Sequence, residues 1–111
     1  MTVGELRDLM SLTEITVTDP DREICGVYCG DLLSWVMGRA KCDDLWITIM
    51  SNINVVAVAS LADVSCVLLA EGTSLEQEVI DTAKSKGVNI LCSQLPMYET
   101  AVAVSRLISD E

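Results

Sequence analysis

The stretch that decides the fold is CVLLAEGTSLEQEVIDTAKSKGVNILC, residues 66–92. Its first five residues, 66–70, are all apolar and predict a buried strand. Ser74 stands three positions before Gln77, the spacing of a capping box, and an amphipathic helical pattern follows. Residues 88–92 then predict a second strand. A strand, a helix and a strand of these lengths indicate a βαβ unit, so we expect an α/β fold with a partly parallel sheet.

Further elements extend this unit toward both ends of the chain. Asp31 is expected to cap a helix, and the valine content of residues 55–59 predicts a strand. Pro96 precedes a last helix, residues 97–108, with a wide apolar arc. The remaining expected elements are a helix over residues 3–12, capped by Thr2, and extended segments over 14–17, 23–29 and 45–50. The stripe expected to be buried on the helix after Asp31 consists of Leu32, Leu33, Val36, Met37 and Ala40.

Length and composition bound the class of protein. The 111 residues suffice for one domain, residues 1–111, and 50% hydrophobic against 22% charged residues excludes a disordered chain. The 17 acidic and seven basic residues give a net charge of −10. That sign argues against nucleic acid and against an anionic membrane surface as partners.

Several kinds of chemistry are missing from the chain. It contains no His, which excludes Ser-His-Asp and Cys-His arrangements, and we therefore expect no enzyme activity. The longest apolar run, residues 55–59, is far shorter than the roughly 20 residues of a membrane span. The first residues lack the pattern of a signal peptide, and five cysteines make an odd number, so we expect a reducing, cytoplasmic location.

A family resemblance begins at Asp21-Arg22-Glu23-Ile24-Cys25-Gly26-Val27, which resembles the DRTGG domain family. Asp21, Arg22 and Gly26 match the spaced residues that name the family, whereas Cys25 and Val27 depart from them. The resemblance continues over roughly residues 3–108, through Asp31-Leu32-Leu33-Ser34, Trp46-Ile47-Thr48 and the helix, glycine and strand of residues 74–91.

The resemblance implies a fold and a class of role. DRTGG domains are similar to the N-terminal domain of HPr kinase/phosphorylase, a layered α/β domain whose mixed sheet is flanked by helices. They occur between CBS domains in family II pyrophosphatases, in some phosphotransacetylases and as small separate proteins. In these settings they act as regulatory or dimerising modules, and no catalytic residue is established for them. The resemblance, the missing catalytic groups and the apolar features described below together predict a homodimeric regulatory module. We expect no cofactor, and a separate enzyme as the regulated partner.

Two loops are candidates for binding a small ligand such as a nucleotide. Arg22 and Gly26 lie in the first, where the arginine fork suits a carboxylate or phosphate, although the 17 acids of the chain favour an internal partner. Gly72, Thr73 and Ser74 form the second, where a glycine and hydroxyls precede a helix. The same residues equally serve as an ordinary helix cap, and neither loop has the lysine of a phosphate-binding P-loop.

The thiols give an alternative function. Cys25, Cys29 and Cys42 are the weak candidates for a metal or iron–sulfur site, which would make the chain a redox accessory protein for a larger enzyme. Cys25 and Cys29 would lie roughly 13 Å apart on a straight strand, which disfavours one tetrahedral ion. Cys66 and Cys92 are expected to be buried apolar residues. An enzyme that works with carboxylates alone, such as Asp21, Asp31, Asp43 or Asp44 around magnesium, also stays open as an alternative.

Two apolar features are candidates for a dimer interface. Trp35 lies about 130° from the centre of its helix's apolar stripe, which leaves it exposed unless a partner or the helix end covers it. The arc of the last helix is the second candidate, through Val104, Leu107 and Ile108, unless the sheet covers it fully.

Overall fold

The computed structural model describes residues 1–109 as five strands and five helices. Most elements fall within a few residues of the predicted ones. In chain order they are α1 (Val3–Leu9), β1 (Thr13–Thr16), β2 (Gly26–Cys29), α2 (Leu33–Arg39), β3 (Asp44–Thr48), α3 (Ile53–Ala62), β4 (Cys66–Leu69), α4 (Gln77–Ser85), β5 (Ile90–Cys92) and α5 (Met97–Ser109).

The strands form one mixed sheet in the order β1-β5-β4-β3-β2. The four strands from β2 to β5 are parallel neighbours, and β1 pairs with β5 antiparallel. Each parallel pair is joined by one helix, as a crossover between parallel neighbours requires. The predicted βαβ unit and the partly parallel sheet are therefore confirmed.

Helices cover both faces of the sheet. On one face, α2, α3 and α4 pack on alternate strand residues such as Trp46, Val67 and Ile90. On the other face, α1 and α5 pack on the intervening residues, including Ile47 and Leu68. The result is three layers, helices against sheet against helices, as the resemblance implied.

Several local predictions are also confirmed. Thr2 caps α1 in a capping box: its side chain accepts from the backbone N–H of Glu5, whose carboxylate accepts from the N–H of Thr2. These hydrogen bonds lower the pKa of Glu5. Cys66 and Cys92 are buried, and burial raises the pKa of both thiols. No helix among residues 1–109 is both long and apolar enough to cross a membrane.

The strand predicted over residues 55–59 is wrong, because these residues form the middle of helix α3. The Asn52 side chain accepts from the N–H of Asn54 at the start of that helix, and Asp63 ends it with a positive φ of 56°. Parallel β3 and β4 need a helical crossover, and this demand overrides the weak strand preference of valine.

The cap predicted at Asp31 is wrong as well. Leu32 is the N-cap of α2 and makes no side-chain cap bond. The Asp31 carboxylate instead accepts from Thr48 Oγ1 at 2.7 Å and from the N–H of Ile49 at 3.0 Å. Asp31 therefore ties the end of β2 to the end of β3. In the predicted buried stripe Val36 alone is fully buried, while Leu32 and Met37 are exposed.

The capping box predicted at Ser74 and Gln77 does not form. Helix α4 begins at Gln77, and its N-cap is Glu76, without a side-chain cap bond. The helix ends as predicted: Gly87 follows it with a φ of 70°, and Val79 and Ala83 are buried against the sheet. Ser74 is thereby free of the helix end and lies in the preceding loop.

Candidate functional site

The two predicted ligand loops lie at opposite edges of the sheet. Arg22 and Gly26 lie where the parallel strands begin, because Gly26 is the first residue of β2. Gly72, Thr73 and Ser74 follow β4 and therefore lie at the carboxyl edge. The structure does not bring the two groups together into one site. In open α/β sheets ligands bind at the carboxyl edge.

The carboxyl edge holds a cavity of about 580 Å³ between the loop after β3 and the loop after β4. Ser51, Asn52 and Ile53 line one wall, and Ser74 lies on the other. The remaining lining residues belong to the start of α4 and the residues before it, and are Leu75, Glu76, Glu78 and Val79. The cavity thus combines hydroxyl and amide groups with a few apolar side chains, the usual composition of a small-molecule site.

Of the three residues predicted in the second loop, Ser74 alone lines this cavity. The N–H of Gly72 donates to the Ser93 carbonyl at 2.9 Å, and its φ is 64°. The Thr73 hydroxyl donates to the Ala70 carbonyl at 2.7 Å. Gly72 and Thr73 therefore fix the path of the loop, while Ser74 faces the open space.

The charge of the cavity limits what it can hold. Two of its lining residues, Glu76 and Glu78, carry carboxylates, and no lysine or arginine lies among the lining residues. A phosphate group entering alone would be repelled by both carboxylates. The arrangement favours an uncharged or cationic group, or an anion that brings its own cation.

At the amino edge Arg22 has internal partners. Its guanidinium donates to Asp43 Oδ1 at 2.8 and 3.0 Å, and to the carbonyl and carboxylate of Asp63 at 2.6 and 2.9 Å. Gly26 permits a close approach, since a Cβ atom there would lie 2.5 Å from Asp44 Oδ1. Both features account for these residues without a ligand.

Contacts within this cluster shift the pKa values of two acidic groups, a carboxyl and a thiol. Hydrogen bonds from Arg22 and Cys42, together with the charge of Arg22, lower the pKa of Asp63. The Cys42 thiol donates to Asp63 Oδ2 at 3.3 Å, and this bond, with slight burial and the nearby carboxylates, raises the pKa of Cys42. The hydrogen bond to Asp63 and the nearby carboxylates thus disfavour the thiolate form of this exposed cysteine.

The three candidate metal ligands are exposed free thiols. Cys25 and Cys29 flank and end β2, and Cys42 precedes β3. Burial and the charge of Asp31 raise the pKa of Cys29, which opposes the thiolate that a metal requires. Within residues 1–109, no group of three His, Cys, Asp or Glu side chains is placed to hold a metal ion.

Exposed apolar side chains concentrate in one segment of the chain, residues 27–61, which we call the β2 side. Of the ten large apolar side chains found exposed in residues 1–109, seven belong to residues 27–61, which run from β2 to α3. Trp35 is 52% exposed, and the guanidinium of Arg39 lies 3.9 Å above its ring centre. The seven residues are Val27, Leu32, Trp35, Met37, Ile49, Ile53 and Leu61.

The second predicted interface is largely covered. Val104 is fully buried between α5 and the sheet, so it is not available to a partner. Leu107 and Ile108 are half-buried and pack against the same core. The apolar arc of the last helix therefore belongs mainly to the core of the chain, whereas Trp35 is exposed as predicted.

Comparison with known families identifies the domain. The family model of the DRTGG domain matches residues 27–107, which is most of the chain. The chain belongs to the DRTGG domain family. The match begins at Val27, so Asp21, Arg22 and Gly26, on which the resemblance was first based, lie outside it. No curated protein matches the chain significantly.

A solved structure supports the fold of this DRTGG domain. The regulatory region of Clostridium perfringens pyrophosphatase, with CBS and DRTGG domains and the activator diadenosine tetraphosphate, superposes with a TM-score of 0.71 at 13% identity. The alignment covers 90% of the present chain and 44% of that one. The chain thus spans less than half of this relative, and the similarity between the two is one of fold.

Sequence reasoning missed the other wall of the cavity. The predicted strand over residues 55–59 leaves Ser51, Asn52 and Ile53 unrelated to the loop after β4. The signal available was Asn52, a good N-cap type, followed by ten residues without Gly or Pro. A helix there would have placed these residues at the carboxyl edge.

Proposed function

We propose that this DRTGG domain is a non-catalytic regulatory module that acts as a homodimer and controls a separate enzyme. The concentration of exposed apolar side chains on the β2 side carries the proposal. Surfaces of this kind are typical of protein interfaces, and an exposed tryptophan is a frequent anchor in them. Five free cysteines favour a reducing compartment, which supports a cytoplasmic location.

The α2 and α3 helices support the interaction role in detail. Helix α3 is apolar almost all round, and Ile53, Ala57 and Leu61 repeat every four residues along its exposed side. A groove of about 430 Å³ separates it from α2, with Leu33 and Met37 on the far wall. A helix with this composition is normally covered, so the β2 side is the surface to which a second chain would bind.

The carboxyl-edge cavity supports a ligand-sensing role. Its volume of about 580 Å³ suits a nucleoside-sized molecule, and its hydroxyl and amide groups suit a base or ribose. The two glutamates predict that a nucleotide binds with Mg²⁺ and not without it. The activator named for the pyrophosphatase relative, diadenosine tetraphosphate, is the first nucleotide to test.

The test of the dimer is analytical ultracentrifugation of the wild type and of Trp35→Ala. A homodimer that Trp35→Ala weakens supports the proposal. Tyr98→Ala is the matched control, because Tyr98 is an exposed aromatic residue at 74% exposure outside the β2 side. A wild type that is monomeric at all concentrations would contradict the homodimer.

The test of the ligand is calorimetric titration with diadenosine tetraphosphate, with and without Mg²⁺. Ser74→Leu fills the cavity and should abolish binding, whereas Ser85→Leu, on an exposed position of α4, should leave it unchanged. Binding that Ser74→Leu does not affect would remove the cavity from the proposal. The regulated enzyme is then sought by affinity capture with the wild type and with Trp35→Ala.

A further inference from the structure

The β2 strand lies at the edge of the sheet with half of its backbone groups facing outward. The N–H of Gly30 donates to the Ile47 carbonyl, and the register pairs Tyr28 with Trp46. Alternate residues of a strand face opposite neighbours, so the N–H and C=O groups of Val27 and Cys29 point away from β3. Within residues 1–109 no named strand pairs with residues 26–29 on this side. The N-terminal segment covers only the chain that precedes β2, where Thr2 forms an isolated antiparallel bridge with Glu23.

The two edges of the sheet differ in their protection. Strand β1, at the far edge, carries Glu14 in an ion pair with Arg7 at 2.8 Å, and its register shifts between Glu14 and Thr16. Charge and irregularity are the usual means by which sheet edges avoid pairing. Strand β2 has neither: its four residues are uncharged, it contains no Pro, and its register with β3 is unbroken.

We propose that the β2 edges of two copies pair antiparallel, so that one continuous ten-stranded sheet runs through the dimer. This inference rests on the proposed homodimer and names the strand that forms it. Tyr28 would lie on the two-fold axis. Each Val27 would then stand opposite Cys29 of the other copy, and all outward groups of both strands would be paired.

The surroundings of β2 suit a second copy of the chain. Tyr28 packs its ring against Gly30, where a Cβ atom would lie 3.0 Å from Tyr28 Cε2. Gly26 would lie opposite Gly30, two residues without side chains. Two acids flank the strand and are held internally: Glu23 pairs with the N-terminus at 3.2 Å, and Asp31 accepts from Thr48. A chain of net charge −10 can therefore pair here without opposing carboxylates.

The first experiment places a charge on the edge. Val27→Lys is expected to raise the dimer dissociation constant by about tenfold or more, because a charged side chain on an edge strand opposes pairing. Val27→Thr keeps the strand preference and the neutral charge, and should leave the constant nearly unchanged. Circular dichroism confirms that both variants fold. A constant that Val27→Lys leaves unchanged while Trp35→Ala raises it would overturn the inference and leave the homodimer intact.

The second experiment tests the register and does not depend on weakening the dimer. Val27→Cys is combined with Cys25→Ser and Cys42→Ser, which leaves Cys29 as the partner thiol. Diamide takes two electrons and two protons from each pair of thiols and becomes a hydrazine as the disulfide forms. The opposed Cα atoms would lie roughly 5.5 Å apart, within disulfide range.

Two controls complete the crosslinking experiment. Replacing Cys29 by Ser as well should abolish the covalent dimer on a non-reducing gel. Thr13→Cys in place of Val27→Cys, with Cys92→Ala to remove the thiol opposite residue 13, puts the new thiol on exposed β1 and should not crosslink. Equal crosslinking of the two edges would overturn the proposed pairing. A wild type that remains monomeric would overturn both this inference and the homodimer.

Discussion

The guanidinium of Arg22 binds the carboxylate of Asp63 at 2.9 Å across 41 positions of the chain. It also binds Asp43. Arg22 precedes β2, Asp43 precedes β3, and Asp63 lies between α3 and β4. One side chain thus connects the three segments that enter neighbouring parallel strands. This arrangement makes the amino edge a structural element, whereas the cavity lies at the other edge.

Arg22→Met is therefore expected to destabilise the fold without affecting ligand binding or dimerisation. We expect a loss of about 2 kcal/mol, since charge-assisted hydrogen bonds from a partly buried fork are lost. Urea unfolding measures the loss. Arg22→Lys should recover part of it, because lysine keeps the charge but not the fork. Unchanged stability together with lost nucleotide binding would instead make Arg22 a ligand residue.

Asp63 predicts a pH-dependent contribution to stability. Its pKa in the folded chain is lowered below the usual value of 3.8, so its contribution is present above that value and is lost as pH falls through the folded pKa. The difference in unfolding free energy between wild type and Asp63→Asn should be at most about 1 kcal/mol at pH 7, the range of exposed pairs. Asparagine keeps the positive φ. A difference that grows as pH falls below 3.8 would contradict this account.

The hydrogen bond from Cys42 to Asp63 predicts that the Cys42 thiol reacts slowly with alkylating reagents. Iodoacetamide should alkylate Cys42 in Asp63→Asn roughly two- to fivefold faster than in wild type at pH 8, because removing the carboxylate lowers the pKa of the thiol. Peptide mass spectrometry follows the modification. Exposed Cys25 is the internal reference, and its rate should not change between the two proteins. Equal Cys42 rates would show that Asp63 does not hold the thiol.

Asn89 is buried and joins the N-terminal segment to the sheet. Its Oδ1 accepts from the N–H groups of Thr18 and Asp19, and its Nδ2 donates to the carbonyls of Asp19 and Ser65. Asn89→Ala is expected to cost about 3 kcal/mol in urea unfolding, because it leaves buried groups unpaired. Thr18→Ala keeps these backbone bonds and should cost less than about 0.5 kcal/mol. Similar costs for both variants would contradict the assignment.

Gly72 lies in the loop after β4 and Gly87 follows α4, and the two glycines can be compared because both have a positive φ. Their φ values are 64° and 70°, so alanine is strained by about 1 kcal/mol at either position. A Cβ atom at Gly72 would also lie 2.7 Å from Gln94 Oε1, whereas at Gly87 it would lie 3.9 Å from Thr18 Oγ1, an ordinary contact. We expect Gly72→Ala to cost more than Gly87→Ala, and Gln94→Ala to remove the excess. An excess that persists in the double variant would place the strain elsewhere.

The sequence predicts the βαβ unit well because its signals are local. The apolar run of β4, the periodic α4 and Gly87 each point to one structure. Helix α3 escapes prediction because its hydrophobicity has almost no direction: it packs against the sheet, α2 and α4 at once and carries few polar residues. A valine-rich segment of this kind is ambiguous until the parallel order of the neighbouring strands is known.

The site is less predictable than the fold because it joins loops distant in sequence. Ser74 could be named from its own loop, but Ser51 and Asn52 become its neighbours only when β3 and β4 pair. Asp31 shows the same dependence. Its type suits a helix cap, and its position beside Thr48 across the strand pair directs it elsewhere. Which of two possible hydrogen-bond partners a side chain such as Asp31 takes therefore depends on tertiary contacts.

The antiparallel pairing of β1 with β5 sets the order in which the strands can pair as the chain folds. Strands β2 to β5 join neighbours in sequence, so they can assemble progressively as the polypeptide leaves the ribosome. Thr13 of β1 pairs with Cys92 of β5, so β1, which is synthesised early, can pair only after β5 has been synthesised. Until then the backbone hydrogen-bonding groups on the outer edge of β5 have no partner strand. We expect amides of β1 to acquire protection after those of β3 and β4 in pulse-labelled refolding, and earlier protection of β1 would refute this order.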